Sequence, residues 1–174
     1  AVTSAGGGKS LIRVADNGSG MDETDLKLSV ERHATSKLAD DGLDDIRSLG
    51  FRGEALASIG SVSDLRIRTR RHDAEGGREL VVKRARVGEP RPVATNPGTI
   101  VEVENLFAAV PARLKFLKTD RAEAAAITDT VKRLAMANPQ VQFILDGPDR
   151  QAANWGASQG EEARAERLAQ VIGK

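Results

Sequence analysis

Apolar and polar positions alternate along Lys9-Ser10-Leu11-Ile12-Arg13-Val14-Ala15, which predicts a strand, and Gly6-Gly7-Gly8 ahead of it predicts a hairpin turn from an earlier strand containing Val2-Thr3. Leu26, Val30 and His33 then recur at helical spacing behind Asp22 and Glu23, whose charges suit the positive end of a helix, so a helix is predicted over 22–32. Residues 34–52 are polar and contain Gly42 and Gly50; they predict a loop with one short helical turn around Leu43 and Ile46. Small apolar residues over 53–59 predict a second helix. Strands follow over 65–70 and 79–83, joined through Asp73-Ala74-Glu75-Gly76-Gly77 as a hairpin. In it Arg66, Arg68, Arg70, Lys83, Arg84 and Arg86 alternate with Leu65, Ile67 and Val81, which puts the charges on the solvent side. Pro90, Pro92, Pro97 and Gly98 punctuate an irregular connection before a strand over 99–104. Pro111 can open a short helix through Leu117. A longer helix over 121–137 carries Ala125, Ile127, Val131, Leu134 and Ala135 toward a core and stops at Asn138-Pro139. A strand over 141–145 and a helix over 161–172 complete an α+β pattern of mostly antiparallel strands with helices on one face.

Composition narrows the possibilities. The 174 residues are 40% hydrophobic, enough for one compact domain and a small appendage but not for two large domains. Twenty-six basic and 25 acidic residues leave a net charge of +1, which by itself calls for neither a polyanion nor a membrane surface. The charges are nevertheless segregated. Residues 16–45 hold nine acidic against three basic side chains, and residues 63–91 hold nine basic against five acidic. With no Cys, and His33 and His72 the only histidines, disulfides, thiol nucleophiles and cysteine-ligated zinc are excluded, and any metal would be held by oxygen. No apolar run approaches the roughly 18 residues of a membrane span, and the first residues do not read as a signal peptide, so a soluble intracellular protein is expected. Aromatic residues make up 3% of the chain, which argues against base stacking as a main activity.

Four short stretches carry candidate chemistry. In Asp16-Asn17-Gly18-Ser19-Gly20-Met21, between a strand and a helix, a carboxylate can accept from an exocyclic amine while two glycines allow a tight turn and close approach of a flat ligand. The same string also reads as an ordinary turn. In Gly50-Phe51-Arg52-Gly53-Glu54-Ala55-Leu56, free N–H groups at a helix start offer a seat for phosphate, or simply a helix cap; it matches neither a P-loop nor G-x-G-x-x-G. His33-Ala34-Thr35-Ser36-Lys37 supplies two hydroxyls and an ammonium suited to phosphate oxygens, or a solvated helix end. Thr99, after Pro97-Gly98, stands at a strand start where its hydroxyl can reach a base edge or a bridging water, or merely begin a β-branched strand.

In this order and separation the four stretches resemble the GHKL ATPases, the superfamily with the Bergerat nucleotide fold, and within it the MutL branch of mismatch repair. The strings that carry the resemblance are Leu11-Ile12-Arg13-Val14-Ala15-Asp16-Asn17-Gly18-Ser19-Gly20-Met21, His33-Ala34-Thr35-Ser36-Lys37, Leu49-Gly50-Phe51-Arg52-Gly53-Glu54-Ala55-Leu56, and Gly98-Thr99 followed by Pro111-Ala112-Arg113. The resemblance implies an ATP-binding conformational switch. Asp16 would receive the adenine amine, Gly18 and Gly20 would form its turn, and Thr99 would make the second contact at the base. Thr35, Ser36 and Lys37 would begin the lid over ATP, and Gly50, Phe51, Arg52, Gly53, Glu54, Ala55 and Leu56 would surround the phosphates. Mg²⁺, the mismatch-recognition protein MutS, self-dimerisation of the full-length protein and a cytoplasmic, nucleoid-associated location are implied in the same way.

One departure changes the expectation. The family's E-x-x-x-N-x-x-D-A helix, which supplies the general base for water and the Asn that holds Mg²⁺, has no counterpart in these 174 residues. The resemblance is therefore to a weak Mg²⁺-dependent ATPase whose catalytic and metal residues are not in this stretch, and a piece truncated at both ends is expected. Residues 1–140 would be the ATPase-like domain and 141–174 the start of a transducer-like domain or linker. Such a piece is expected to turn over poorly and to be monomeric. Phosphate contacts from the basic hairpin to non-specific DNA are a further expectation, with a solvated face as the plain reading. The competing function is a non-catalytic DNA- or protein-binding scaffold that keeps only the fold.

Overall fold

The structure, a computed structural model, describes residues 1–32 and 54–173. His33, Thr35, Ser36, Lys37, Gly50, Phe51, Arg52 and Gly53, with the loop expected over 34–52, lie outside the described residues. The chain divides into two compact units, Ala1–Val14 with Ala112–Lys174, and Ala15–Pro111.

In the first unit β1 (Val2–Ala5) pairs antiparallel with β2 (Leu11–Asp16), Val2 opposite Val14 and Ala5 opposite Leu11. The glycines between them form a 3-10 turn (Gly6–Gly8) with positive φ at Gly6, Gly7 and Gly8, the conformation that non-glycine residues resist. On its other edge β1 runs parallel to β8 (Phe143–Asp146), and β8 pairs antiparallel with β9 (Ala153–Trp155). Two helices, α4 (Asp120–Ala137) and α5 (Ala163–Ile172), close the core of Val131, Ala135, Leu145, Trp155 and Val171. Thr119 caps α4 by accepting from Ala122 N, and Asn138 ends it. The apolar stripe of α4 is rotated from expectation: Ala124, Val131 and Ala135 are buried, whereas Ala125 and Leu134 are exposed.

In the second unit β3 (Asp64–Arg70) lies between β4 (Gly77–Lys83) and β7 (Gly98–Glu104), all antiparallel. Short strands β5 (Arg86–Val87) and β6 (Arg91–Val93) pair with β4. One face carries Leu65 opposite Val82 and Val103, and Ile67 opposite Leu80 and Val101; Leu65, Ile67 and Leu80 are fully buried. Helix α2 (Ala55–Val62) packs on β3. It starts two residues later than expected and runs past Ile59, because Gly60 does not stop it: a Cβ there would press on Val82 and Leu65, so the glycine permits close packing. Helix α1 (Glu23–Leu28) is shorter than expected; Asp22 caps it through Asp25 N, and the Ser29 hydroxyl donates to Leu26 O at its end. The short helix after Pro111, α3 (Pro111–Leu114), likewise stops before Leu117.

The expected hairpin is present with one correction. Val81 lies opposite Arg66, on the arginine face, and the core positions of β4 are Leu80 and Val82. A strand's period of two puts Val81 on the same face as Lys83, which is exposed as expected, so the correction concerns Val81 alone.

Candidate functional site

Where β2 ends, the Asp16 carboxylate folds over its own turn. Its Oδ1 accepts from Gly18 N at 2.9 Å and from Thr99 N, at the start of β7, at 3.2 Å. Both bonds use one oxygen; among the described residues Oδ2 takes no hydrogen bond, and Asp16 is exposed. Two glycines make the approach possible. Gly98, at φ +111°, packs against the backbone of Asp16 and Asn17, and a Cβ there would collide with the Asp16 carbonyl oxygen; a Cβ on Gly20, at φ +70°, would collide with the Arg70 carbonyl.

Beneath this corner Thr69 is fully buried. Its hydroxyl contacts Met21 N at 2.9 Å, Gly98 O at 3.1 Å and the Thr99 hydroxyl at 3.1 Å. At the rim His72 Nε2 lies 3.0 Å from Gly18 O. His72 is flanked by Arg71 and Asp73, joined by two hydrogen bonds of 3.0 and 3.1 Å. The Arg71 guanidinium holds the Asp73 carboxyl below the usual carboxylate range, and Asp73 raises Arg71 in turn.

Asp16, Gly18, Gly20 and Thr99 are thus brought together as the sequence led us to expect. Glu54, Ala55 and Leu56 stand at the start of α2, with Glu54 in the N-cap position and Ser58 N bonded to its carbonyl at 2.9 Å. Thr69 and His72 were missed. The signal for Thr69 was its place in the alternation, a polar residue in step with Leu65 and Ile67 and therefore pointing into the core face.

The basic residues do not make one stripe of free charge. Arg68 bonds Glu102 at 2.8 Å, and Arg66 pairs with Glu79 at 3.7 Å and Glu102 at 3.9 Å. Arg70 Nε is buried and unpartnered. Arg84 and Ala85, both at positive φ, form the two-residue turn between β4 and β5, and Lys83, Arg84 and Arg86 line an open groove of about 680 Å³ with Val81, Val87 and Gly88. Among the described residues no group of three or more His, Asp or Glu could hold a metal ion. No helix of the described residues is long and apolar enough to cross a membrane.

A mostly antiparallel sheet with helices, and an aspartate turn between strand and helix facing a Gly-Thr strand start, define the GHKL-type ATPase fold. The ATPase domain of Aquifex aeolicus MutL complexed with ADP matches with a TM-score of 0.78 and 31% identity over 98% of this chain and 59% of that one. The N-terminal domain of a DNA repair protein shares the fold at TM-score 0.75 and 23% identity, over 99% of this chain and 50% of that one. No family model matches. The DNA mismatch repair protein MutL of Rhizobium rhizogenes is 59% identical over 173 residues, and that of Brucella abortus 57% identical over 174, each match covering 99% of this chain. The chain belongs to the MutL family and corresponds to part of its N-terminal ATPase domain. It spans 28% of the length of these relatives.

Proposed function

We propose that the chain binds ATP as part of the conformational switch of a mismatch repair protein, with adenine at the Asp16 corner. The observation that supports this most is the Asp16 carboxylate itself: one oxygen is fixed by two backbone N–H groups, and the other is left to a ligand N–H. Thr99 stands beside it, and Gly18 and Gly20 shape the turn. Phosphates would meet the segment from Gly50 to Leu56, and the lid would begin at Thr35, Ser36 and Lys37. ADP is bound by the Aquifex aeolicus relative, which favours this reading over a scaffold that keeps only the fold. We further propose that these residues alone turn over little ATP, because general-base catalysis needs a carboxylate placed on water and none of the family's pattern occurs in this stretch. Contacts with MutS and pairing of two copies belong to the whole protein. Weak, salt-sensitive contact with DNA phosphates is confined in this reading to Lys83, Arg84 and Arg86, since Arg66 and Arg68 are engaged by carboxylates.

The test is calorimetric titration of the chain with ADP and with Mg-ATP, alongside phosphate release. Binding without appreciable release is expected. Absence of heat at millimolar nucleotide overturns the reading in favour of the scaffold, and sustained release overturns the turnover proposal.

A further inference from the structure

A threonine hydroxyl has one proton and two lone pairs, so the three contacts of Thr69 can be assigned. Met21 N–H can only donate and takes one lone pair; the Gly98 carbonyl can only accept and takes the proton. The contact that remains, to Thr99, must then be made with the proton of Thr99. The reverse assignment would leave the Thr69 hydroxyl and the Gly98 carbonyl oxygen 3.1 Å apart with no proton between them, at a residue with no exposure to water. Thr99 therefore turns its proton inward and only lone pairs outward. Asp16 is oriented by the same logic, its Oδ1 occupied by Gly18 N and Thr99 N and its Oδ2 an acceptor.

We propose that Thr69 is a positioning residue that sets base specificity: by drawing the Thr99 proton into the core it makes the corner acceptor-only, so that a 6-amino purine is received and a 6-oxo purine is turned away. The inference rests on the nucleotide reading above and adds to it a buried residue that touches no ligand. Two outward acceptors give an amine two direct partners, whereas a 6-oxo purine presents its carbonyl oxygen to lone pairs and can satisfy only one of them, through its N1–H.

ADP and IDP test this, because they differ only at the purine 6-position and the N1 proton that accompanies it. The wild-type chain is expected to bind ADP more tightly than IDP. Thr69→Val keeps the shape, frees the Thr99 hydroxyl to rotate, and is expected to lower the ADP/IDP affinity ratio by about tenfold. Thr69→Ser should restore it. A merely structural role would weaken both ligands alike and leave the ratio unchanged, and that result overturns the proposal. Should Thr69→Val fail to fold, Thr99→Val carries the test: it must lower the ratio by itself, and an unchanged ratio is equally contradictory. Where both variants fold, their effects on the ratio should not add, since each removes the same oriented hydroxyl. Failure of the wild type to bind either nucleotide removes the nucleotide reading and this inference together; binding with a ratio insensitive to Thr69 and Thr99 removes this inference alone.

Discussion

Each unit contains a charged side chain fixed by hydrogen bonds from or to the backbone, and the two are used in opposite ways. In the first, Arg167 is fully buried on α5 and donates to the carbonyls of Ala135, Asn138, Pro139, Val141 and Gly156, at 2.7 to 3.4 Å, and to the Gln170 amide oxygen, with Phe143 under its guanidinium. Burial lowers its pKa, yet a guanidinium remains charged at any physiological pH. The positive charge sits where α4 ends, sharing the Ala135 carbonyl with Asn138 N, so it adds to the C-terminal cap from another helix. In the second, Asp16 is exposed and one of its oxygens is uncommitted among the described residues, although the atoms beneath it are as tightly assigned as those around Arg167. A saturated polar centre fastens structure; one saturated on its inner side keeps an acceptor on its outer side.

The largest expected effect breaks the first half of this contrast. Arg167→Met should cost about 3 kcal/mol by removing the hydrogen bonds that tie α5 to the end of α4 and to Val141 and Gly156, read as a loss of denaturant midpoint, and Arg167→Lys should recover little because an ammonium cannot span the same fork. Gly98→Ala attacks the backing of the open centre. It should cost about 2 kcal/mol through positive φ and collision with the Asp16 carbonyl, and thermal unfolding checks it. Asp16→Asn sharpens the contrast: stability should stay within about 0.5 kcal/mol, as for an exposed site, while ADP affinity falls some tenfold or more in calorimetry because an amide that keeps its oxygen on Gly18 and Thr99 turns an NH₂ outward. The smallest effect belongs to the rim. Arg71 depresses the Asp73 pKa, so the pair stabilises the folded chain above the ordinary carboxylate pKa and loses that contribution as pH falls through the depressed value. Replacing Asp73 by Asn should flatten the acid limb of stability against pH slightly, and the exposure of the pair keeps the change small.

The parts of the fold legible in the sequence were those with a sustained period. Strands β3 and β7 followed from alternation, and α4 from its length and the Asn138-Pro139 stop. Strands of two or three residues carry no period: β6 contains Pro92, and β9 is marked only by Trp155 pairing with Phe143. The Val81 assignment failed because it broke the period of two with Lys83, which the pairing of Val81 with Arg66 restores. At the site, Asp16, Gly18, Gly20 and Thr99 were legible as motifs, but Thr69 and His72 act through contacts made by residues far along the chain. Arg167 was legible in hindsight from its place between Ala163 and Val171 at helical spacing on a buried face.

The central claim is that adenine sits against Asp16 and Thr99, and amide chemical shifts during titration with ADP test it most directly. The account predicts that Gly18, Met21 and Thr99 shift together in the wild type and, in Asp16→Asn, shift only at some tenfold or more higher ADP. Shifts concentrated elsewhere in the chain, or equal shifts in the two proteins, would contradict it.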